Sequence, residues 1–255
     1  MSKARTYIVS DLFYTDWNQL TPLQHIEVFA LQQQLNLLDT GSVAYGLHLI
    51  KILRCIRKNK RLVGKINEAQ AVDIFNDLKF LRDPWLYFPI KKLSTGLHAP
   101  EEKMATHTFD HFIYADNEFT SYLATQDRKY LARLAVTLYR AKGEVIFDKE
   151  CVDERAAKLR KIKPWQEDLV FCSYAQIRNF ITKRCKTLLP TSPRPSPGGE
   201  GDKVEKAVPT GGMWLKLKHR LAETAAFQGY DNAGRANMYS ALDYLEDLAQ
   251  LKEKK

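Results

Sequence analysis

Apolar residues recur at helical spacing over most of the chain, and the helices they predict begin at recognisable caps. The clearest stretch covers residues 67–89, where Asn67 and Gln70 have the spacing of a capping box. Two prolines at the end of this stretch exclude further helix and enclose a run of large side chains. These are Trp85, Leu86, Tyr87 and Phe88. They need a surface to cover, so they either fill the core between helices, which is favoured, or form an exposed aromatic anchor for a partner protein.

Further segments predict helices on the same grounds. Thr21 and Gln24 have the spacing of a second capping box, with proline at the first helical position between them. The apolar faces of the first two helices include Leu23, Leu37 and Leu47. The predicted helices cover about residues 21–39, 42–58, 67–81, 112–140 (one helix or two in succession), 151–162, 165–188, 213–227 and 231–251.

The segments between these helices complete the predicted fold. Residues 7–14 and 144–147 each favour a short strand, and the two strands are expected to pair. Residues 189–212 are rich in Pro, Gly and Ser and have no apolar period, which is typical of a disordered insert. The predicted fold class is mainly α, a multi-helix globular bundle with a short N-terminal strand or hairpin. We expect residues 1–188 to form the helical body and residues 213–255 to form a helix pair that packs back on it.

The composition is that of an ordinary soluble protein. Of the 255 residues, 45% are hydrophobic and 27% charged, and no apolar run approaches the length of a membrane span. The N-terminus lacks the long apolar core of a signal peptide, so the cytoplasm is the expected compartment. The four cysteines form no C-x-x-C pair and have no zinc-finger spacing to a histidine, which favours buried free thiols. The net charge of +9 permits nucleic-acid binding without establishing it.

Basic residues cluster in two runs. Residues 51–65 contain seven Lys or Arg and no acid, and residues 155–163 contain the second run. Cations are favoured at a helix C-terminus, so the first run is interpreted as a solvated helix end, with a phosphate-contacting patch as the alternative. No aromatic residue is interleaved for base stacking, and no helix-turn-helix turn follows. Three of the basic residues, Arg54, Arg57 and Lys58, would share one helical face. The candidates for phosphate contact are Lys51, Arg54, Arg57, Lys58 and Arg61.

Residues 107–112 read HTFDHF, which places His107 and His111 on one face if the segment is helical. With Asp110 beside them, they have the spacing of a two-histidine metal pair. The glutamate of the H-E-x-x-H protease signature is absent, since Thr108 stands in its place. We therefore predict neither a metal nor a cofactor. An enzyme that uses both histidines and Asp110 is the least favoured alternative.

Three carboxylates of the same region, Asp110, Asp116 and Glu118, are close enough in sequence to pair for acid–base chemistry. No partnering nucleophile, glycine-rich phosphate loop or G-x-S-x-G motif accompanies them. We interpret them as helix-end and surface charges and predict that the chain is not an enzyme.

Three segments together carry a family resemblance. Residues 17–24 read WNQLTPLQ, which is similar to the W-N-E-L-T-P-x-Q opening of a group of bacterial prophage and mobile-element proteins and departs from it at Gln19. Residues 80–89 and 114–140 carry the rest of the resemblance, together with the C-terminal helix pair. Members of the group lie among phage structural and tail-assembly genes. The resemblance therefore implies an assembly or chaperone-like role, and it supplies no catalytic residues.

The leading hypothesis is a non-enzymatic protein that binds other proteins, such as phage tail or capsid components, during assembly. It predicts an exposed apolar patch. The candidates for this partner-binding patch are Trp85, Tyr87, Phe88 and Trp214. The alternative is a nucleic-acid-binding protein of a mobile element, which requires the two basic runs to converge on one surface.

Overall fold

The computed structural model describes residues 12–58, 66–144, 148–158, 162–185, 188 and 211–253. These residues form ten α-helices and no strand, which confirms the predicted mainly α, multi-helix fold. None of the described helices is both long and apolar enough to cross a membrane. The helices are α1 (Pro22–Leu35), α2 (Val43–Cys55), α3 (Glu68–Asp77), α4 (Phe109–Thr125), α5 (Lys129–Leu138), α6 (Glu150–Lys158), α7 (Pro164–Arg184), α8 (Gly211–Ala222), α9 (Tyr230–Arg235) and α10 (Met238–Glu253).

Within the described ranges, β-structure is limited to isolated bridges. Phe13 pairs with Arg57 in the antiparallel sense, and the backbone N–H of Tyr14 donates to the carbonyl of Ile56 over 2.9 Å. The rest of the predicted N-terminal strand, and residues 145–147 of its predicted partner, lie outside the described residues.

The chain divides into two compact units, residues 1–85 and 86–255. Unit 1 contains α1 to α3, and unit 2 contains α4 to α10. The boundary therefore falls inside the aromatic stretch and inside the predicted body of residues 1–188. The predicted insert, residues 189–212, lies outside the described residues except for its last two glycines, which begin α8.

Both predicted capping boxes are confirmed in unit 1. The Thr21 hydroxyl accepts from the Gln24 backbone N–H over 3.3 Å, and the Gln24 side chain accepts from the Thr21 N–H over 2.8 Å. Asn67 and Gln70 make the same reciprocal pair at the start of α3, at 2.9 and 3.1 Å. The helices α1 and α2 end a few residues earlier than predicted, at Leu35 and at position 55.

The core of unit 1 is built around two tryptophans. The ring centroids of Trp17 and Trp85 are 4.6 Å apart, with His25 stacked on Trp17 and Phe29 edge-on to Trp85. The indole N–H of Trp17 donates to the carbonyl of Asp83 over 2.9 Å. Trp85 is 1% exposed, so it fills the core of unit 1. Its alternative role as an exposed partner anchor is wrong, because a buried ring offers no surface to a partner.

The central helix of unit 2 is α4, which contacts α5, α8, α9 and α10. Its N-cap is Thr108, whose hydroxyl accepts from the backbone N–H of His111 over 3.3 Å. The buried face of α4 packs against Tyr174 of α7 and Trp214 of α8. The members of this face include Phe112, Ala115, Asp116 and Phe119.

Two of the three partner-binding candidates in unit 2 also lie in the core. Phe88 is 1% exposed and packs edge-on to Tyr139, and Trp214 is 0% exposed and packs edge-on to Phe112. The predicted docking role of Phe88 and Trp214 is therefore wrong for the same reason as for Trp85: a buried ring offers no surface to a partner. Tyr87 is half-buried, and a lysine ammonium lies 5.5 Å from its ring centroid.

Candidate functional site

Asp116 lies at the centre of a buried polar cluster that connects three helices. Its carboxylate is 0% exposed and forms an ion pair with Arg178 of α7. Tyr174 donates its hydroxyl to Oδ1 over 3.2 Å, and Trp214 donates its indole N–H to Oδ2 over 2.7 Å. Burial, followed by the nearby carboxylate, raises the pKa of Tyr174 well above its ordinary value, so the hydroxyl remains a donor. The interpretation of Asp116 as a surface charge is wrong, because its role is to fix how α4, α7 and α8 meet.

Glu118 is also buried, and its charge is compensated. Arg133 of α5 donates Nε–H to Oε1 of Glu118 over 2.8 Å and also pairs with Asp153 of α6. Burial raises the pKa of Glu118, and Arg133 opposes that shift. The pair lines a cleft of about 560 Å³ between α4 and α5. The interpretation of Glu118 as a surface charge is therefore wrong as well.

The two histidines considered as a metal pair are buried and stacked on each other. His107 precedes α4 and His111 lies in its first turn, yet their ring centroids are 4.1 Å apart with 21° between the planes. Both side chains are 0% exposed, and Nε2 of His111 hydrogen-bonds to the carbonyl of Thr137. Burial, assisted by His111 and Arg140, lowers the pKa of His107 well below its ordinary value. Burial also lowers the pKa of His111 to about 3, so both rings are neutral near pH 7.

The third residue of the metal site considered for these histidines has another partner. Asp110 pairs instead with Lys218 of α8, with 2.6 Å between Oδ1 and Nζ. The described residues contain no group of three or more His, Cys, Asp or Glu side chains that could hold a metal ion. His107 and His111 are enclosed, whereas Asp110 lines a cleft with Lys218, so the three side chains do not meet in one cleft.

A larger cleft, of about 860 Å³, is lined by residues of α4, α8 and α9. Lys218 is only 4% exposed. Its ammonium lies 3.6 Å from the ring centroid of Tyr230 and also pairs with Asp110. Tyr230 and Leu215 are each 39% exposed and supply apolar surface. The principal side chains of this cleft are Asp110, Tyr114, Asn117, Leu215, Lys218 and Tyr230.

Gly234 allows α9 to lie directly against the Asp110 carboxylate. A Cβ atom at this position would be 2.0 Å from Oδ2 of Asp110, which is far below a van der Waals contact. The carboxylate is therefore held between the Lys218 ammonium and the α9 backbone. Sequence analysis missed this arrangement, because Asp110, Lys218 and Gly234 belong to three separate helices and share no motif.

Among its described residues, unit 1 exposes four large apolar side chains: Leu23, in the first turn of α1, is 61% exposed, and the other three lie at or near the connection between α1 and α2. Leu37, in the connection between the helices, is 87% exposed, and Val43 and Leu47, one turn apart on α2, are 63% and 48% exposed. We refer to these three residues as the apolar edge. The assignment of Leu23, Leu37 and Leu47 to the buried helix faces is wrong. Leu23 lies off the buried face of α1, Leu37 lies beyond the end of α1 at Leu35, and the buried face of α2 lies on another side of that helix.

The two basic runs belong to different units, and only some of their residues are placed to contact phosphate. The predicted alignment of Arg54, Arg57 and Lys58 on one helical face is wrong, because α2 ends before the last two of them. In the second run, Arg155 pairs with Glu144 over 2.7 Å. In the first run Lys51, Arg54 and Lys58 are exposed, Arg57 is half-buried, and Arg61 lies outside the described residues.

The chain matches no protein-family model, no curated protein and no solved structure. The roles of the apolar edge and of the cleft beside α4 therefore rest on their own geometry. The apolar edge offers hydrophobic surface to a partner, whereas the cleft offers a compensated ion pair, a tyrosine ring and hydrogen-bonding groups. These two surfaces are the candidate functional sites.

Proposed function

We propose that the chain is a non-enzymatic protein that binds other proteins during assembly, with the apolar edge as its docking surface. The supporting observation is the exposure of Leu37, Val43 and Leu47 within one short segment. Burial of a large aliphatic side chain contributes roughly 1.5–3 kcal/mol. Single exposed apolar residues are normal on a protein surface, but several together are typical of an interaction site.

The charged groups of unit 2 also favour binding over catalysis. Asp116 and Glu118 each hold an ion pair with an arginine inside the protein. The neutral rings of His107 and His111 are enclosed. Groups held in this way connect helices, and a reacting substrate would have to displace structural contacts to reach them.

We place this function in the assembly of a prophage or phage-tail-like particle, in the cytoplasm. The support is the sequence resemblance described above. In residues 17–24, the first segment of that resemblance, Trp17 fills the core of unit 1, and Thr21 and Gln24 cap α1. The resemblance therefore supports a shared context, and the docking surface is argued from the exposed residues.

The test is capture of an assembly partner by the tagged chain from cells that carry the surrounding genes. The double variant Val43→Glu/Leu47→Glu places two carboxylates on the apolar edge without altering a buried residue. Leu123→Glu is the matched control, since Leu123 is 42% exposed on α4 of the other unit. We expect the wild type and the Leu123 variant to retain a tail or capsid component and the double variant to lose it.

Two results would contradict this proposal. One is equal recovery of the component by the double variant and the wild type. The other is self-association of the purified wild type that the double variant abolishes, because the apolar edge would then be an interface between copies of this chain. Sedimentation measurements on both proteins distinguish these results.

A second candidate function, nucleic-acid binding, is supported by the exposure of Lys51, Arg54 and Lys58 around the end of α2. Three phosphate contacts would give a slope in log affinity against log salt concentration of about −3 for duplex DNA and about −2 for a single strand. Titration of duplex DNA and of single-stranded RNA at several salt concentrations measures this slope. Retention of the slope in a Lys51→Gln/Arg54→Gln variant would exclude this patch as the binding surface.

A further inference from the structure

The cleft beside α4 has a balanced charge. Lys218 and Asp110 compensate each other at its floor over 2.6 Å. Asp231 and Arg235 are one turn apart on α9, an arrangement in which opposite charges attract. The charged residues of the lining are the carboxylates Asp110, Asp148 and Asp231 and the cations Lys149, Lys218 and Arg235. Because the formal charges cancel, neither an anionic nor a cationic ligand has a net Coulombic advantage there.

The lining places hydrogen-bond donors and acceptors close together. Asp110, Tyr114 and Asn117 follow one another along α4 at spacings of four and three residues, and all three line the cleft. The amide of Asn117 and the hydroxyl of Tyr114 can each donate and accept. A ligand hydroxyl also donates and accepts through one atom, so neighbouring hydroxyl groups fit this lining.

Apolar surface stands beside these polar groups. The residue Tyr230 is 39% exposed; the Lys218 ammonium lies 3.6 Å from its ring centroid, and the ring centroid of His219 lies 4.8 Å from it. Leu215, also 39% exposed, lines the same cleft. A sugar ring combines an apolar C–H face with hydroxyl groups around its edge, and it can place that face against the exposed parts of these two side chains.

A peptide backbone finds fewer partners in this cleft than a sugar does. The walls are formed mainly by α4, α8 and α9, whose backbone groups are engaged within the helices. Among the lining residues there is no strand with a free edge to which an extended peptide could be added. Recognition must therefore come from side chains, which favours a ligand dense in hydroxyl groups.

We propose that this cleft binds an uncharged oligosaccharide. The exposed parts of Tyr230 and Leu215 pack against the apolar side of one sugar ring, and Asp110 and Asn117 hydrogen-bond to its hydroxyl groups. The cleft volume of about 860 Å³ lies in the range of pockets that enclose small ligands. This inference does not depend on the apolar edge, which belongs to the other unit.

Saturation-transfer NMR on the full chain tests the proposal with five uncharged disaccharides: maltose, cellobiose, lactose, sucrose and diacetylchitobiose. Glucose phosphate and glucosamine serve as anionic and cationic probes. We expect at least one disaccharide to bind with an affinity that does not change between low and high salt. We expect Tyr230→Ala and Leu215→Ser each to raise its dissociation constant at least about tenfold.

Tyr130→Ala is the matched control, since Tyr130 is a half-buried tyrosine that lines the other cleft, with a lysine ammonium 4.9 Å from its ring centroid. It should leave the dissociation constant unchanged, and thermal unfolding should show that all three variants are folded. The proposal is overturned if none of the five disaccharides binds, or if only a charged probe binds. Unchanged binding by Tyr230→Ala and Leu215→Ser together would place the ligand elsewhere and would overturn it as well.

Discussion

Lowering the pH should destabilise unit 2 through its stacked histidine pair. His107 and His111 are both fully buried, and burial lowers the pKa of each in the folded protein, for His111 to about 3. In the unfolded chain both return to an ordinary pKa of about 6.5. Below that pH the unfolded state binds more protons than the folded state. The stabilisation is therefore complete above about pH 6.5 and decreases as the pH falls towards the folded pKa.

The expected magnitude follows from the number of protons. Each histidine that is protonated only in the unfolded state costs about 1.4 kcal/mol of unfolding free energy per pH unit. With both rings neutral in the folded state, the slope approaches about 3 kcal/mol per pH unit between roughly pH 5.5 and 4. Since domains are stable by only about 5–15 kcal/mol, this effect is sufficient to unfold unit 2 in mild acid.

The assay is hydrogen exchange of the most protected amides of α4, measured at a series of pH values and corrected for the intrinsic exchange rate. The amides that are followed all belong to unit 2, which matters because burial also lowers the pKa of His25 in unit 1. The double variant His107→Gln/His111→Gln should lose most of the acid slope. Replacement of the exposed His219 by Gln is the control for the loss of a histidine elsewhere in unit 2. Equal slopes in the wild type and the double variant would show that the two histidines do not cause the acid sensitivity, whatever the stability of the variant at neutral pH.

Two further predictions concern packing around α4. Gly234→Ala should lower the free energy of unfolding of unit 2 by about 1–3 kcal/mol, because the added Cβ would overlap the Asp110 carboxylate. Gly41→Ala is the control: its added Cβ meets no atom within 4 Å, so it should change stability by less than about 0.5 kcal/mol. Trp214→Phe should cost about 1–3 kcal/mol in urea unfolding, because Asp116 loses one of its buried donors; an unchanged midpoint would show that this hydrogen bond contributes nothing.

Local signals in the sequence predicted local structure well. The capping boxes at Thr21 and Asn67 depend on residues three positions apart, so both could be identified without knowledge of the fold. The predicted ends of α1 and α2 were less accurate, because apolar residues such as Leu37 continue the helical period past the last helical turn. Periodicity alone does not show where a helix stops or which apolar residue remains exposed.

The aromatic stretch shows a second limit. Trp85 and Phe88 are three residues apart, yet one fills the core of unit 1 and the other the core of unit 2. Their size and hydrophobicity correctly indicated burial. Nothing in the local sequence indicated that the boundary between two compact units falls between them.

The polar sites depend on contacts that are distant in sequence. Asp116 is buried because Arg178 and Trp214 supply its partners, and these partners come from helices far along the chain. In the same way, Lys218 can be buried only because Asp110 faces it. From sequence alone, the reasonable expectation for an isolated carboxylate in a helix is a position at the surface. Asp116 departs from it because its partners are supplied by the tertiary structure.

If the chain works by docking a partner on the apolar edge, that edge should become protected in the complex. Hydrogen exchange of the purified complex with its assembly partner, compared with the free chain, measures this protection. We expect slowed exchange to be concentrated in residues 36–47, around Leu37, Val43 and Leu47, and to be unchanged at high salt. Protection centred on residues 51–58, or on the cleft beside α4 with no change in residues 36–47, would contradict it.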